Sequence, residues 1–299
     1  MTAFAFNLVR ANNTLLTGIR QPNYQRRPKY APLDNDGTLY QTSRPVIRAA
    51  PMASFSTVAM RAMVQALTAT SGIPYLALDG TNGLELIGAK IGSNVPGYDP
   101  TASVHARRQH LSGMAMVSGI SWRPGDVAEM SMEAFFTATT GSTDPTVITP
   151  ITLPAIPVGT EQLVLSAITM PGGTISAARC VSYDLSINHQ VENNDESMCY
   201  NTGLPFPVLL KQPGVGGTAE IGLSLEVLDL TGTLANGAVS AVFTRLAHNG
   251  VGLTTGTVTV ALANCQIVEV EIRGKPGVRK LEIFSTWDGT TAACTLTAA

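Results

Sequence analysis

Residues 218–230 read Thr-Ala-Glu-Ile-Gly-Leu-Ser-Leu-Glu-Val-Leu-Asp-Leu. Ala219, Ile221, Leu223, Leu225 and Val227 share one parity; Glu220, Gly222, Ser224 and Glu226 share the other. Successive side chains of a strand point to opposite faces, so this alternation predicts a long β-strand with one dry and one wet face. Residues 127–138 repeat the pattern, with Ala128, Met130, Met132, Ala134 and Phe136 set against Glu129, Ser131 and Glu133. Residues 179–191 do so again, with Val181, Tyr183, Leu185 and Ile187 against Ser182, Asp184, Ser186 and Asn188. A chain that spends its length on two-faced strands is suited to forming a surface or a wall.

Composition supports that direction. Only 13% of the 299 residues are charged, against a usual share of about 25%. A monomer normally coats itself with charge, so the deficit predicts that much of the outer surface meets protein. A chain of this length buries roughly 75% of its unfolded surface and needs no disulfide or metal staple. Cys180, Cys199, Cys265 and Cys294 form no Cys-x-x-Cys pair, which removes the usual zinc and redox spacings. No basic segment precedes a long apolar run, and no stretch of about 18 apolar residues occurs, so manufacture and assembly in a reducing cytoplasm are expected.

The charge is unevenly spread. Up to Arg48 there are seven basic residues (Arg10, Arg20, Arg26, Arg27, Lys29, Arg44, Arg48) and two acidic ones (Asp34, Asp36), a net of +5, so the remainder carries −7 of the overall −2. This asymmetry fits an interaction arm at residues 1–50, or equally a solvated N-terminus. Residues 12–40, rich in Asn, Pro, Gly and Arg, read as an extended arm or long loop.

A first β lobe is expected over 51–140. It opens with a helix whose apolar stripe is Phe55, Val58, Ala59, Ala62, Met63, Ala66 and Leu67, capped by Ser54 or Ser56 and ended by Gly72 and Pro74. A hairpin follows, with Arg123-Pro124-Gly125-Asp126 as its turn. Residues 141–160, with Pro145, Pro150, Pro154 and Pro157, read as a linker or crossing loop. A second β lobe covers 161–299, including strands near 256–263, 266–272 and 278–285. Strand–loop–strand recurs in both halves without a residue-level repeat. The fold class is therefore mainly β with one flanking helix, as a β-sandwich or barrel.

The candidates for chemistry are sparse. Gly83 to Lys90 only approaches a phosphate-binding loop, because Ala89 intervenes and Ile91 follows the lysine. Gly214 to Gly217 leads into a strand, not a helix. His105 and His110 are five positions apart, an odd step, and so are expected to face opposite ways on one strand. His189, Glu192, Asp195, Glu196 and Cys199 cluster in a polar loop without a diagnostic spacing. Glu129 with Glu133, and Glu220 with Glu226, share strand faces; they fit either a glycosidase pair or the soluble side of a sheet. Arg26, Arg27, Arg107 and Arg108 lack the aromatic interleaving of a nucleic-acid groove. Trp122 and Trp287 end strands, where buried anchors are the default. No catalytic residue, cofactor or metal is assigned.

An extended segment with Pro45-Val46-Ile47, then Pro51-Met52-Ala53-Ser54-Phe55-Ser56-Thr57, one helix, long hairpins and a closing Gly-Val-Arg-Lys-Leu-Glu-Ile-Phe-Ser-Thr-Trp resembles the tail tube proteins of long-tailed bacteriophages. The resemblance is one of architecture and spans residues 44–283. It implies a virion structural protein, not an enzyme. Its copies would close into homohexameric rings, or trimeric rings if the chain is a tandem duplication, whose strands join one β-barrel. Rings would stack into a tube in the host bacterial cytoplasm, meet tape measure, terminator and sheath proteins, and pass double-stranded DNA without binding it specifically. Under that resemblance Glu129, Glu133, Glu220 and Glu226 would line the channel, and Arg20, Arg26, Arg27 and Lys29 would form an inter-ring arm. The competing expectations are another β-rich virion protein, such as a capsid decoration or tail terminator, and a β-sandwich carbohydrate-binding or hydrolase domain.

Overall fold

The computed structural model describes residues 4–11, 14–30, 46–67, 75–78, 83–90, 99, 104–110, 112–155, 161–188, 198–200, 204, 206–210, 220–228, 234–247, 252–274 and 277–299. In chain order the early strands are β1 (Phe4–Ala11), β2 (Thr14–Leu16), β3 (Ile19–Gln25), β4 (Pro28–Tyr30), β5 (Val46–Ala49) and β6 (Met52–Thr57). Helix α1 (Met60–Ala66) comes next. It is followed by β7 (Tyr75–Leu78), β8 (Leu84–Lys90), β9 (His105–His110), β10 (Gly113–Trp122), β11 (Glu129–Phe136) and β12 (Thr146–Ile151). The remainder gives β13 (Leu163–Met170), β14 (Gly173–Ser176), β15 (Cys180–Asn188), β16 (Met198–Tyr200), β17 (Pro207–Leu210) and β18 (Glu220–Leu228). It closes with β19 (Gly237–Leu246), β20 (Leu253–Arg273), β21 (Val278–Ser285) and β22 (Cys294–Ala298). Among the described residues the fold is mainly β with one short α-helix.

One antiparallel sheet dominates, in the order β14-β13-β19-β20-β21-β18-β15-β10-β11-β6-β3, with β22 beside β20 and β7 beside β10. A second sheet runs β12-β9-β8-β1-β2. The expected hairpin is present as β10–β11; Asp126 N donates to Arg123 O at 3.1 Å and Gly125 takes φ +84°. Parity holds along β18 and β11. Ile221, Leu223, Leu225 and Val227 are buried, as are Ala128, Met130, Met132, Ala134 and Phe136; the alternate positions are more accessible except Phe135, which packs with Met52, Met114 and Met116 in a small apolar cluster on the other face.

The long sheet folds back on its apolar side. Tyr183 on β15 and Phe243 on β19 are four strands apart, roughly 19 Å along a flat sheet. Their rings nevertheless meet edge to face at 5.2 Å. The bend lies in β20, whose first half pairs with β19 and β22 and whose second half pairs with β21. The residues expected as two strands are thus one strand, bent where Asn264 takes φ +49°; a strand that changes partners at such a point is how sandwich corners form. Ser285 Oγ reaches Ala263 O and Ala293 O, both at 2.6 Å, and closes the inside of the corner.

Three sequence expectations are corrected. Residues 52–57 are strand, not helix. Their alternation fits both periods, and hydrogen-bonding edges on β11 and β3 decide the outcome. The helix keeps only Met60–Ala66 and has no side-chain cap. Ser56 instead donates to Glu129 Oε1, and Thr57 Oγ1 accepts from Ala59 N at 3.0 Å. Gly72 and Pro74 lie outside the described residues. Residues 4–11 and 14–30, read as an arm, are built into the body. Val9, Ala11 and Leu16 are fully buried, and β3 pairs with β6. Part of the 141–160 linker is strand β12, hydrogen-bonded to β9. The two expected lobes share the large sheet, joined where β10 pairs with β15.

The core predicts its own energetics. Among the described residues the buried Tyr183 hydroxyl has no hydrogen-bond partner, so Tyr183→Phe should be neutral or stabilising by about 1 kcal/mol. Phe243→Ala empties the fully buried other half of the contact and should cost about 3–5 kcal/mol. Urea unfolding with unchanged slope measures both; a destabilised Tyr183→Phe would mean that the hydroxyl is satisfied.

Candidate channel and assembly surface

The opposite face of the sheet is unusual for its small polar side chains. Directly opposed residues of antiparallel strands share a face. The pairings therefore trace one row from β3 to β20: Arg20, Ser56, Ser131, Gly119, Ser186, Gly222, Phe284 and Gln266. A neighbouring row runs Glu129, Ser121, Asp184, Ser224, Glu282 and Val268. Serine and glycine keep the middle of this face low, and acids stud it.

All four acids expected to line a channel lie on this face, since Glu129 and Glu133 alternate with Ser131, and Glu220 and Glu226 with Gly222 and Ser224. Two are neutralised. Glu129 pairs with Arg20 at 2.8 Å, and Glu226 pairs with Arg273. Asp184 and Glu282 are likewise matched, by Arg123 at 2.8 Å and Lys280 at 2.9 Å. Among the described residues Glu133 and Glu220 have no ion-pair partner.

The four expected arm residues sit on β3, on β4 or between them. Arg20 holds Glu129, and Arg26 holds Asp144 and lies 5.8 Å over the Phe206 ring. Arg27 donates to Gln25 Oε1 at 2.8 Å, and Lys29 lies opposite Arg48 of β5. Residues 31–45 lie outside the described residues.

The other candidates resolve into packing where they are described. Gly83 to Lys90 leads into β8 of the second sheet and opens no helix. Arg107 joins Arg10 in holding the buried Glu85, at 3.3 and 3.1 Å. Arg108 lies 4.0 Å over the Tyr24 ring. Trp122 is buried, whereas Trp287, expected as a second anchor, is 47% exposed because the chain turns off at the end of β21. His189, Glu192, Asp195 and Glu196 lie outside the described residues, as do Gly214 to Gly217, and Cys199 falls on β16. Burial pushes the Cys180 thiol up to about 11 and Cys294 up to about 12, so neither is a thiolate near neutrality. Among the described residues no three His, Cys, Asp or Glu converge as metal ligands.

Both histidines of β9 are buried. His105 Nδ1 accepts from Lys90 N at 3.0 Å. His110 stacks on Phe136 at 3.7 Å and on Tyr24 at 5.4 Å, and its Nδ1 lies 3.2 Å from Thr146 Oγ1. This stack ties the second sheet to β3, and sequence reasoning missed it because its partners are distant in the chain.

No protein-family model matches the chain, and no match is found among curated proteins. Among the described residues no helix is long and apolar enough to cross a membrane.

Burial, aided by the Arg108 charge, lowers the His110 pKa to about 3. The unfolded chain then binds the proton first as pH falls, because an unfolded histidine titrates near 6.5. Stability owed to this residue is full above pH ~6.5 and falls by on the order of 1.4 kcal/mol per pH unit toward pH ~3. His110→Phe keeps the stack and removes the proton, so urea titrations at neutral and mildly acidic pH should show a shallower acid loss in the variant. Equal slopes would mean that His110 is protonated in the fold.

Proposed function

We propose that this chain is a virion structural protein, a tail tube subunit of a long-tailed bacteriophage. Its copies would form stacked rings around a channel that conducts DNA into the host. The observation that carries the reading is the eight-strand face of small polar residues and acids running from β3 to β20. A channel wall for duplex DNA needs a surface without deep pockets, without bare cations and with a mild negative excess, so that phosphates are neither trapped nor held. Arg20, Arg123, Lys280 and Arg273 are each matched to a carboxylate, and Glu133 and Glu220 supply the unmatched negative charge. The low charged fraction fits a subunit whose outer surface is mostly covered by neighbours. The basic residues 20–29, held in the body on β3, on β4 and in the turn between them, favour a contact between copies over a free arm.

Negative-stain microscopy of the purified chain tests the reading: tubes with a regular ring repeat are expected, and dispersed monomers that bind oligosaccharide would overturn it. Tubes of the wild-type chain should not retain duplex DNA at physiological salt. Tubes of Glu133→Lys with Glu220→Lys should retain it in co-sedimentation, with salt reversing the effect. Equal retention by both would remove these residues from the lumen.

A further inference from the structure

The eight strands of the polar face divide into two units with the same topology. Within β3, β6, β10 and β11 the spatial order is first, second, fourth, third in chain order. Within β15, β18, β20 and β21 the order is again first, second, fourth, third. Every neighbour is antiparallel, so both units point the same way. In each, the third and fourth strands form a hairpin, and each third strand carries a bulge, between Val117 and Gly119 in β10 and between Glu269 and Glu271 in β20. The units meet where the third strand of one, β10, pairs with the first strand of the other, β15.

This internal seam has a counterpart with one side missing. The second half of β20 pairs with β21 on one side. On the other, the ladder to β19 stops at Cys265; Asn236 Oδ1 takes the Ile267 amide at 3.1 Å, and residues 268–273 have no ladder partner among the described residues. Counting from the bulges, Gly119, Ile120 and Ser121 correspond to Glu271, Ile272 and Arg273. Ile120, sealed by Leu185 of β15, is 1% exposed, whereas Ile272 is 60% exposed. Val268 and Val270 are also exposed beside it. At the far end of the eight strands β3 is likewise an edge among the described residues.

We infer that the open edge of β20 pairs with β3 of a second copy of this chain, repeating between molecules the β10–β15 seam within one. Eight antiparallel strands per copy leave β20 and β3 running in opposite directions, so the new pair is antiparallel like all the others. The register follows from the internal seam, where Gly119, Ile120 and Ser121 oppose Ser186, Leu185 and Asp184. Matching β3 to β15 through their partners on β6 and β18 makes Asn23, Tyr24 and Gln25 the equivalents of Asp184, Leu185 and Ser186. Glu271 therefore opposes Gln25, Ile272 opposes Tyr24, and Arg273 opposes Asn23 of the next copy. The pairing removes an exposed apolar edge, which is otherwise an aggregation hazard.

The copy number rests on the tube reading. Strands spaced about 4.8 Å apart and tilted 35–45° give a closed barrel about 45–50 Å across its backbone for three copies and about twice that for six. Three copies leave an opening suited to one duplex, so the ring is a trimer carrying six units.

Disulfide trapping tests this. Glu271→Cys with Gln25→Cys places two thiols on directly opposed residues, whose Cα separation of roughly 4.5–5.5 Å suits a disulfide. Mild oxidation should give dimers and trimers and nothing larger on a non-reducing gel, and the off-register pair Val268→Cys with Gln25→Cys should give none. Ile272→Lys should abolish the ring and leave the Tm of the separate chain unchanged. Tubes without the cross-link would overturn the inference and leave the tube reading standing. Trimers without tubes would uphold the inference and sink the tube reading. A ladder reaching six chains would overturn the trimer, and dimers from Glu271→Cys alone would replace β3 by a second β20.

Discussion

At Cys265 the backbone of β20 is paired with Gly237 on one side and Ser285 on the other, and most of the architecture follows from that shared position. Before it the strand belongs to the layer that carries β19, β13 and β14. After it the strand belongs to the polar wall. Bending one continuous strand lets both layers bury their apolar parity against each other without breaking the ladder between them. The ring contact of Tyr183 with Phe243 records how tightly the layers close. At the bend Thr286 Oγ1 donates to Asn264 O at 3.1 Å; in the loop that follows, Asp288 accepts from the Thr291 and Thr290 amides at 2.6 and 2.8 Å, and these bonds hold its carboxyl well below the usual range.

The wall has a different electrostatic character from the interior. Inside, Glu85 is buried and sits between two arginines, because an unmatched buried charge is far more costly than a matched one. On the wall, ion pairs are solvent-exposed and each contributes little to stability. Their effect is to cancel local fields. A surface of matched pairs with a small acidic excess has no deep electrostatic wells along it, and a polyanion sliding past meets no site at which to stop.

Parity was legible in the sequence and topology was not. The alternation of Ile221, Leu223, Leu225 and Val227 with Glu220 and Glu226 identified both faces of β18, because burial on one side of a sheet imposes a period of two. The same reasoning placed all four acids on one face. It failed where two periods coexist, as in residues 52–57, and where a short segment has its partner far away, as in β1, β3 and β12. The composition of residues 12–30 reads as loop, yet β3 is held by Ser54, Ser56 and the His110 stack, none of which is local. The correspondence of the two four-strand units left no residue-level trace either, because a strand position constrains parity and size more than identity. Ile120 and Ile272 occupy equivalent places by position alone.

Carrying both units on one polypeptide changes the thermodynamics of any ring they build. A seam between separate molecules must overcome the loss of translational and rotational freedom of a whole subunit. The β10–β15 seam does not, because the two units are already tethered and their effective concentration is high. In a closed ring half of the seams are thus formed as each chain folds, before any encounter, and only the remaining half depend on concentration. The tether also makes the two kinds of seam distinguishable. The first unit carries the second sheet and the second unit carries β13, β14, β19 and β22, so the outer wall of such a ring alternates between two surfaces although its inner wall repeats with every unit.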